Sequence, residues 1–156
     1  MENQACPCCS ALPYRDCCLP PHLGRPAADA PALMRSRYAA YVLQLTDYIV
    51  ATTVPAQQRL LDAAAIAAWS RESQWLGLEV FDFQTLPGGR HALVDFAARF
   101  ADAGGEEQTH RELSAFVRSG GRWYFIDPTV SLPAPQTPCF CGSGRKFKSC
   151  CGRFFR

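Results

Sequence analysis

Arg90-His91-Ala92-Leu93-Val94-Asp95-Phe96-Ala97-Ala98-Arg99-Phe100-Ala101-Asp102 puts Ala92, Val94, Phe96, Ala98 and Phe100 on one side of an extended chain and His91, Asp95 and Arg99 on the other. A period of two with one apolar and one polar side predicts a half-buried β-strand over 90–102. Runs near 76–86, 107–118 and 122–130 read as strands as well, and the breaks between the four are Pro87-Gly88-Gly89, Gly104-Gly105 and Gly120-Gly121. Glycine-bearing loops this short join antiparallel neighbours, so the expectation is a four-stranded meander.

Upstream of the strands the period lengthens. Asp29 is placed to cap a helix with Pro31 in its first turn, and Met34, Tyr38, Tyr41, Val42 and Leu45 recur on one helical face. A short helix is expected over 47–53, and another over 56–70 that buries Leu60, Leu61, Ala64, Ala68 and Trp69. Helices first and a meander after them predict an α+β domain in which a curved sheet wraps the helices. A length of 156 residues with 48% hydrophobic content suits one such domain plus small appendages. Composition divides the chain into a Cys- and Pro-rich segment at 1–28, the domain at 29–131, and a proline-rich linker with a cysteine-bearing tail at 132–156.

Several function classes fall away. A formal net charge of +2 is too small for a nucleic-acid-coating protein, and sequence-specific DNA binding is not expected. No apolar run approaches the ~20 residues of a membrane span. The start, Met1-Glu2-Asn3-Gln4-Ala5-Cys6-Pro7, carries an acidic residue and no apolar stretch, so no signal peptide is expected and the chain is assigned to the cytoplasm.

In a reducing compartment, clustered thiols are metal ligands before they are disulfides. The chain has nine cysteines, all in its end segments. The tail reads Cys139-Phe140-Cys141-Gly142-Ser143-Gly144-Arg145-Lys146-Phe147-Lys148-Ser149-Cys150-Cys151, a C-x-C-x8-C-C skeleton. The head reads Cys6-Pro7-Cys8-Cys9-Ser10-Ala11-Leu12-Pro13-Tyr14-Arg15-Asp16-Cys17-Cys18, the same skeleton with Ser10 in register with Ser143 and Tyr14 with Phe147. Four thiolates suit tetrahedral zinc at ~2.3 Å, although iron accepts the same donors. The expected metal ligands are Cys139, Cys141, Cys150 and Cys151 in the tail, and Cys6, Cys8, Cys17 and Cys18 in the head, giving about two zinc ions per chain. Neighbouring cysteines such as Cys150 and Cys151 need a tight turn to aim at one point. In the head, Cys9 and Ala11 replace the glycines of the tail, and Cys9 is either a spare thiol or a competitor of Cys8.

The tail closely resembles the SEC-C motif, a zinc-binding segment also found at the C-terminus of the preprotein-translocase ATPase SecA, where the copy ends in Cys-His instead of Cys150-Cys151. The middle is similar to the YchJ family through Leu33-Met34-Arg35-Ser36-Arg37-Tyr38, Trp75-Leu76-Gly77-Leu78 and Trp123-Tyr124-Phe125-Ile126-Asp127. The resemblance implies a nuclear transport factor 2-like cone, with N-terminal helices packed on a curved four-stranded antiparallel sheet, flanked by zinc knuckles. It implies no established biochemical role. By analogy with SecA, whose motif is associated with the chaperone SecB, it points to contact with a protein or ribosome surface.

Two functions compete. The first is a binding module or adaptor, with Arg145, Lys146, Lys148 and Arg153 as partner-binding residues in a tail that also carries Arg156 and the aromatic Phe154 and Phe155. Four thiolates and one divalent ion carry a net charge of −2, so five cations leave the tail positive. The second is an enzyme or small-ligand receptor using the concave side of the sheet. Its pocket candidates are His110, Glu112 and Ser114, which alternate onto one strand face, with Asp95, Arg35 and Arg37. No nucleophile elbow, phosphate loop or paired-carboxylate motif is present, so the binding reading leads.

Overall fold

The computed structural model describes residues 1–155; Arg156 lies outside the described residues. After a 3-10 turn at Tyr14–Asp16 come α1 (Leu19–His22), α2 (Ala30–Val42), α3 (Thr46–Ala51), α4 (Pro55–Gln58) and α5 (Ala63–Glu72). The strands β1 (Gln74–Thr85), β2 (His91–Ala101), β3 (Glu107–Ser119) and β4 (Arg122–Phe125) follow, and 3-10 turns at Phe147–Ser149 and Cys151–Phe154 end the chain. The strands pair antiparallel in the order β1-β2-β3-β4, as the glycine turns predict. The helices α2 to α5 and this sheet form one layer of helices on one layer of strands.

α2 is the pivot. Asp29 caps it by accepting from the Ala32 N–H at 2.8 Å, and Pro31 sits in the first turn, where its missing N–H costs nothing. One side of α2 gives Leu33, Met34 and Tyr38 to a core completed by Val94, Phe96, Phe116 and Trp123. Each large apolar side chain so buried contributes about 1.5–3 kcal/mol before the entropy of ordering it is subtracted. The other side gives Ala39 to a cluster with Cys6, Cys8, Tyr14 and Cys18 of the head. A helix covered on both sides has no polar stripe, and the two polar residues inside it are satisfied. Ser36 donates to the Leu33 carbonyl at 2.8 Å, and Arg37 donates to the Ile49 carbonyl at 2.8 Å and to Thr52 Oγ1 at 2.7 Å.

Two expectations need correction. The helix expected over 56–70 is two helices, broken at residues 59–62 before Asp62, which caps α5 by accepting from Ala65 N–H. Leu60, Ala64 and Trp69 are exposed rather than buried: Leu60 lies in the break itself, and Ala64 and Trp69 lie on an α5 set at the rim of the cone. The last strand ends at Phe125, not near 130. There the outer edge of the strand bonds to the 52–54 segment, with Phe125 N–H donating to Thr52 O and Val54 N–H donating to Phe125 O, both at 2.8 Å, while Ile126 N–H still donates to Ala115 O of β3 at 3.1 Å. The Gln57 side chain secures this join: its Nε2 donates to Asp127 O and its Oε1 accepts from Asp127 N–H, both at 2.9 Å.

Candidate functional site

Each end of the chain folds its C-x-C-x8-C-C segment in the same way. In the head, Cys6 N–H donates to Leu12 O at 2.8 Å, Cys9 N–H to Cys6 O at 3.2 Å and Cys17 N–H to Tyr14 O at 3.1 Å. In the tail, Cys139 N–H donates to Arg145 O at 2.7 Å, Gly142 N–H to Cys139 O at 3.2 Å and Cys150 N–H to Phe147 O at 3.0 Å. Ser10 Oγ lies 3.2 Å from Cys17 Sγ, and Ser143 Oγ lies 3.2 Å from Cys150 Sγ. The internal repeat seen in the sequence is therefore a repeat of backbone geometry.

The sulfurs converge. Those of Cys6, Cys8, Cys17 and Cys18 lie within 4.8 Å of one another, as do those of Cys139, Cys141, Cys150 and Cys151. Four sulfurs at ~2.3 Å from a tetrahedral ion sit about 3.8 Å apart. The Cys8–Cys17, Cys17–Cys18 and Cys141–Cys150 separations are 3.5, 3.8 and 3.6 Å. All nine cysteines are free. Both sets fit a metal ion with no further ligand needed. The adjacent pairs meet at one point because Cys17 (φ −127°, ψ −92°) and Cys150 (φ −126°, ψ −116°) turn the chain sharply between the two side chains. Cys9 stands apart, exposed, with its thiol toward Pro7 O.

Charge explains why a cation suits these sites. In the head, hydrogen bonding with Cys18 outweighs burial and holds the Cys8 thiol down at about 4, while burial pushes Cys6 up to about 11. Hydrogen bonding to the ionised Cys8, together with burial, pushes Cys18 far above the ordinary thiol range. In the tail, burial opposes ionisation of Cys141, yet donors led by Arg90 and Ser143 hold its thiol down at about 6. Burial raises Cys139 and Cys151. Without an ion, the head favours a thiolate at Cys8 and resists one at Cys6 and Cys18, and the tail favours one at Cys141 and resists one at Cys139 and Cys151; a divalent cation relieves that resistance.

The tail tetrad has partners that its own sequence does not reveal. Arg90, just before β2, donates through Nη2 to Cys141 O at 2.8 Å and Cys141 Sγ at 3.1 Å. His91 Nε2 lies 3.3 Å from Cys151 Sγ and 3.7 Å from Cys150 Sγ. Burial, then the charges of Arg153 and Arg90, hold the His91 imidazole down at about 4, so it is neutral and has one N–H to give. Ser119 Oγ donates to Cys141 O at 3.0 Å. The knuckle is thus docked on the β2–β3 end of the sheet, and its cysteines share a buried cluster with Val54, Ala115, Val117 and Ile126. The signal that could have found these residues is the placement of Arg90 and His91 beside the Pro87-Gly88-Gly89 turn, but only tertiary docking joins that turn to a segment some fifty residues later.

The expected partner-binding residues divide. Arg145, Lys146 and Lys148 are exposed on the knuckle. Arg153 is exposed as well and also turns back, donating to Cys150 O at 3.1 Å, approaching His91 Nδ1 at 3.4 Å and lying 5.3 Å over the Phe154 ring. Phe154 and Phe155 are half-buried against the tail cluster, not exposed aromatic surface.

The expected pocket residues divide too. Glu112, Ser114 and the half-exposed His110 line a cavity together with Arg37. Ser114 Oγ donates to Glu112, and His110 Nε2 stands 4.0 Å from the same carboxylate. Asp95 does not belong there. It faces the other side of β2, where Arg111 grips it with bonds of 3.2 and 2.9 Å, because the strand's period of two separates it from Phe96 and Ala98. Arg35 is also elsewhere: its Nη1 donates to Cys8 O at 2.9 Å, tying α2 to the head knuckle.

A nuclear transport factor 2-like domain with a four-cysteine knuckle at each end is the class of protein this geometry defines. The family profile for the YchJ middle domain matches residues 29–128 and that for the SEC-C motif matches 137–153. The chain belongs to the YchJ family. It is 48% identical over 150 residues to a UPF0225 protein of Actinobacillus succinogenes, covering 96% of this chain and 97% of that one. The crystal structure of a SEC-C motif containing protein from Psychrobacter arcticus matches with a TM-score of 0.90 at 45% identity, over 98% of both chains. The solution structure of a SEC-C motif containing protein from Rhodopseudomonas palustris matches with a TM-score of 0.72 at 44% identity, over 84% of this chain and all of that one. Among the described residues, no helix is long and apolar enough to cross a membrane.

Proposed function

We propose that this chain is a zinc-stabilised adaptor whose C-terminal knuckle docks on an acidic protein or ribosomal surface. The observation that carries the reading is a charge difference between two segments of one geometry. The tail exposes Arg145, Lys146 and Lys148 on a scaffold clamped by Arg90 and Ser119, and the chain from 128 to 156 contains no acidic residue. The corresponding head positions are Leu12, Pro13 and Arg15, the last beside Asp16 at 3.5 Å. A rigid cluster of cations keeps its side chains close together without an ordering cost for the backbone, which favours a surface of opposite charge. Zinc at both tetrads supplies the rigidity, since segments this short cannot bury enough apolar area to hold themselves.

The test is co-sedimentation of the metal-loaded protein with ribosomes across a salt series, beside the triple variant R145E/K146E/K148E. Binding that weakens with salt and is lost in the triple variant supports the reading. Binding that ignores salt, or survives the triple variant, removes it. Elemental analysis of protein purified without added metal checks the cofactor, with about two zinc ions per chain expected.

A further inference from the structure

The cavity between α2, α5 and the sheet takes no part in the adaptor reading. Its volume is about 360 Å³, within the range of small-molecule sites. One wall is aromatic: Tyr38, Tyr41, Trp69, Trp75 and Phe96 line it. Tyr41, Trp69 and Trp75 brace one another, with ring centroids 5.1–5.5 Å apart. Trp69 is 40% exposed, so it stands at the mouth.

The charges in the cavity are not evenly available. Arg37 is the one arginine in the lining, and its Nη1 is occupied. Its Nη1 bonds to Ile49 O, Thr52 Oγ1 and Thr53 Oγ1 at the C-terminal end of α3, and its guanidinium lies 4.4 Å over the Phe125 ring. With that nitrogen it closes a helix end, and with its flat face it covers an aromatic ring. The lining's acids, Glu112 and Asp127, are less occupied. Among the described residues neither has a lysine or arginine nitrogen within 4.0 Å, and the only cation-forming neighbour of Glu112 at that distance is His110. Glu112 accepts from Ser114, which fixes the carboxylate's direction, and both bonds to Asp127 fall on Oδ1, leaving Oδ2. Aromatic faces and spare carboxylate oxygens both attract positive charge.

We propose that this cavity binds a small organic cation, a primary ammonium group on an aromatic or apolar body. The ammonium group meets Glu112, with Asp127 adding to the negative field, and the body lies against Trp69 and Trp75. Phosphates and carboxylates are disfavoured, because the carboxylates of Glu112 and Asp127 in the lining repel them.

Isothermal titration of the full-length, metal-loaded protein tests this with three probes of one shape: 2-phenylethylamine, 2-phenylethanol and 3-phenylpropionate. The amine is expected to bind about tenfold more tightly than the alcohol, and the acid least of all. Glu112→Gln keeps an acceptor for Ser114, so the fold stays intact. It should reduce amine affinity about tenfold and leave the alcohol unchanged. Trp69→Ala, at the exposed mouth, should weaken amine and alcohol alike. The proposal is overturned if the acid binds as tightly as the amine, if Glu112→Gln leaves the amine unaffected, or if none of the three binds at about 10 mM. None of these outcomes bears on the ribosome experiment, which reads the other end of the molecule.

Discussion

Ser10 and Ser143 hold equivalent sulfurs at the same 3.2 Å, yet the two knuckles they belong to sit in different surroundings. All four tail cysteines are buried, and the sheet sends Arg90 and His91 to their sulfurs. In the head, Cys17 is only half-buried, and Arg35 reaches a carbonyl, not a sulfur. The turns differ as well. Gly142 and Gly144 both lie at φ +81°, where glycine is at ease, while Cys9 and Ala11 occupy the same positions at φ 66° and 71°. The coordinating skeleton alone does not set the strength of such a site; its turns and its donors do.

The comparison can be broken most decisively at the ligands. Cys150→Ser and Cys17→Ser should each leave one metal per chain by native mass spectrometry. Cys150→Ser should cost roughly 4 kcal/mol in urea unfolding against about 2 for Cys17→Ser, because the tail cluster is continuous with Val54, Val117 and Ile126. Equal losses would mean that docking on the sheet adds nothing.

Gly152→Ala comes next. Its Cβ would stand 2.6 Å from the Phe147 carbonyl oxygen, a backbone atom that cannot swing aside. A loss of about 3 kcal/mol is expected, while Leu19→Ala at the equivalent head position should cost about 1. Arg90→Ala should weaken metal retention at the tail by 10- to 100-fold in chelator competition, with Arg35→Ala leaving the head within about threefold. A matching loss in both would show that carbonyl and sulfur contacts count alike. The smallest effect is a gain: Ala11→Gly should stabilise the head by about 1 kcal/mol, and Gly144→Ala should destabilise the tail by a similar amount. Differential scanning calorimetry resolves both.

Much of the fold is legible in the sequence, for a physical reason. The meander rests on a period of two and on glycine turns, both local properties of the chain around Ala92–Phe100 and Gly120-Gly121, and the repeat of eight sulfurs is a matter of spacing. What escapes is everything set by docking. Asp95 and Phe96 are neighbours in sequence but lie on opposite faces, and the sequence does not say which polar face the cone encloses. Arg35 and Arg37 differ by two positions on α2, yet one serves the head and the other α3, because a helix buried on two sides sends alternate residues to different neighbours. The size of Trp69 argues for the core, and the break before Asp62 moves it to the rim.

The two bonds between the Gln57 amide and the Asp127 backbone imitate a rung of sheet across seventy residues of chain. A chain emerging from its exit tunnel cannot form that rung until nearly all of the domain has been made. The head can gather its thiols early and the tail gathers them after it, so the order of synthesis separates two assembly steps that a refolding experiment in a test tube would start together.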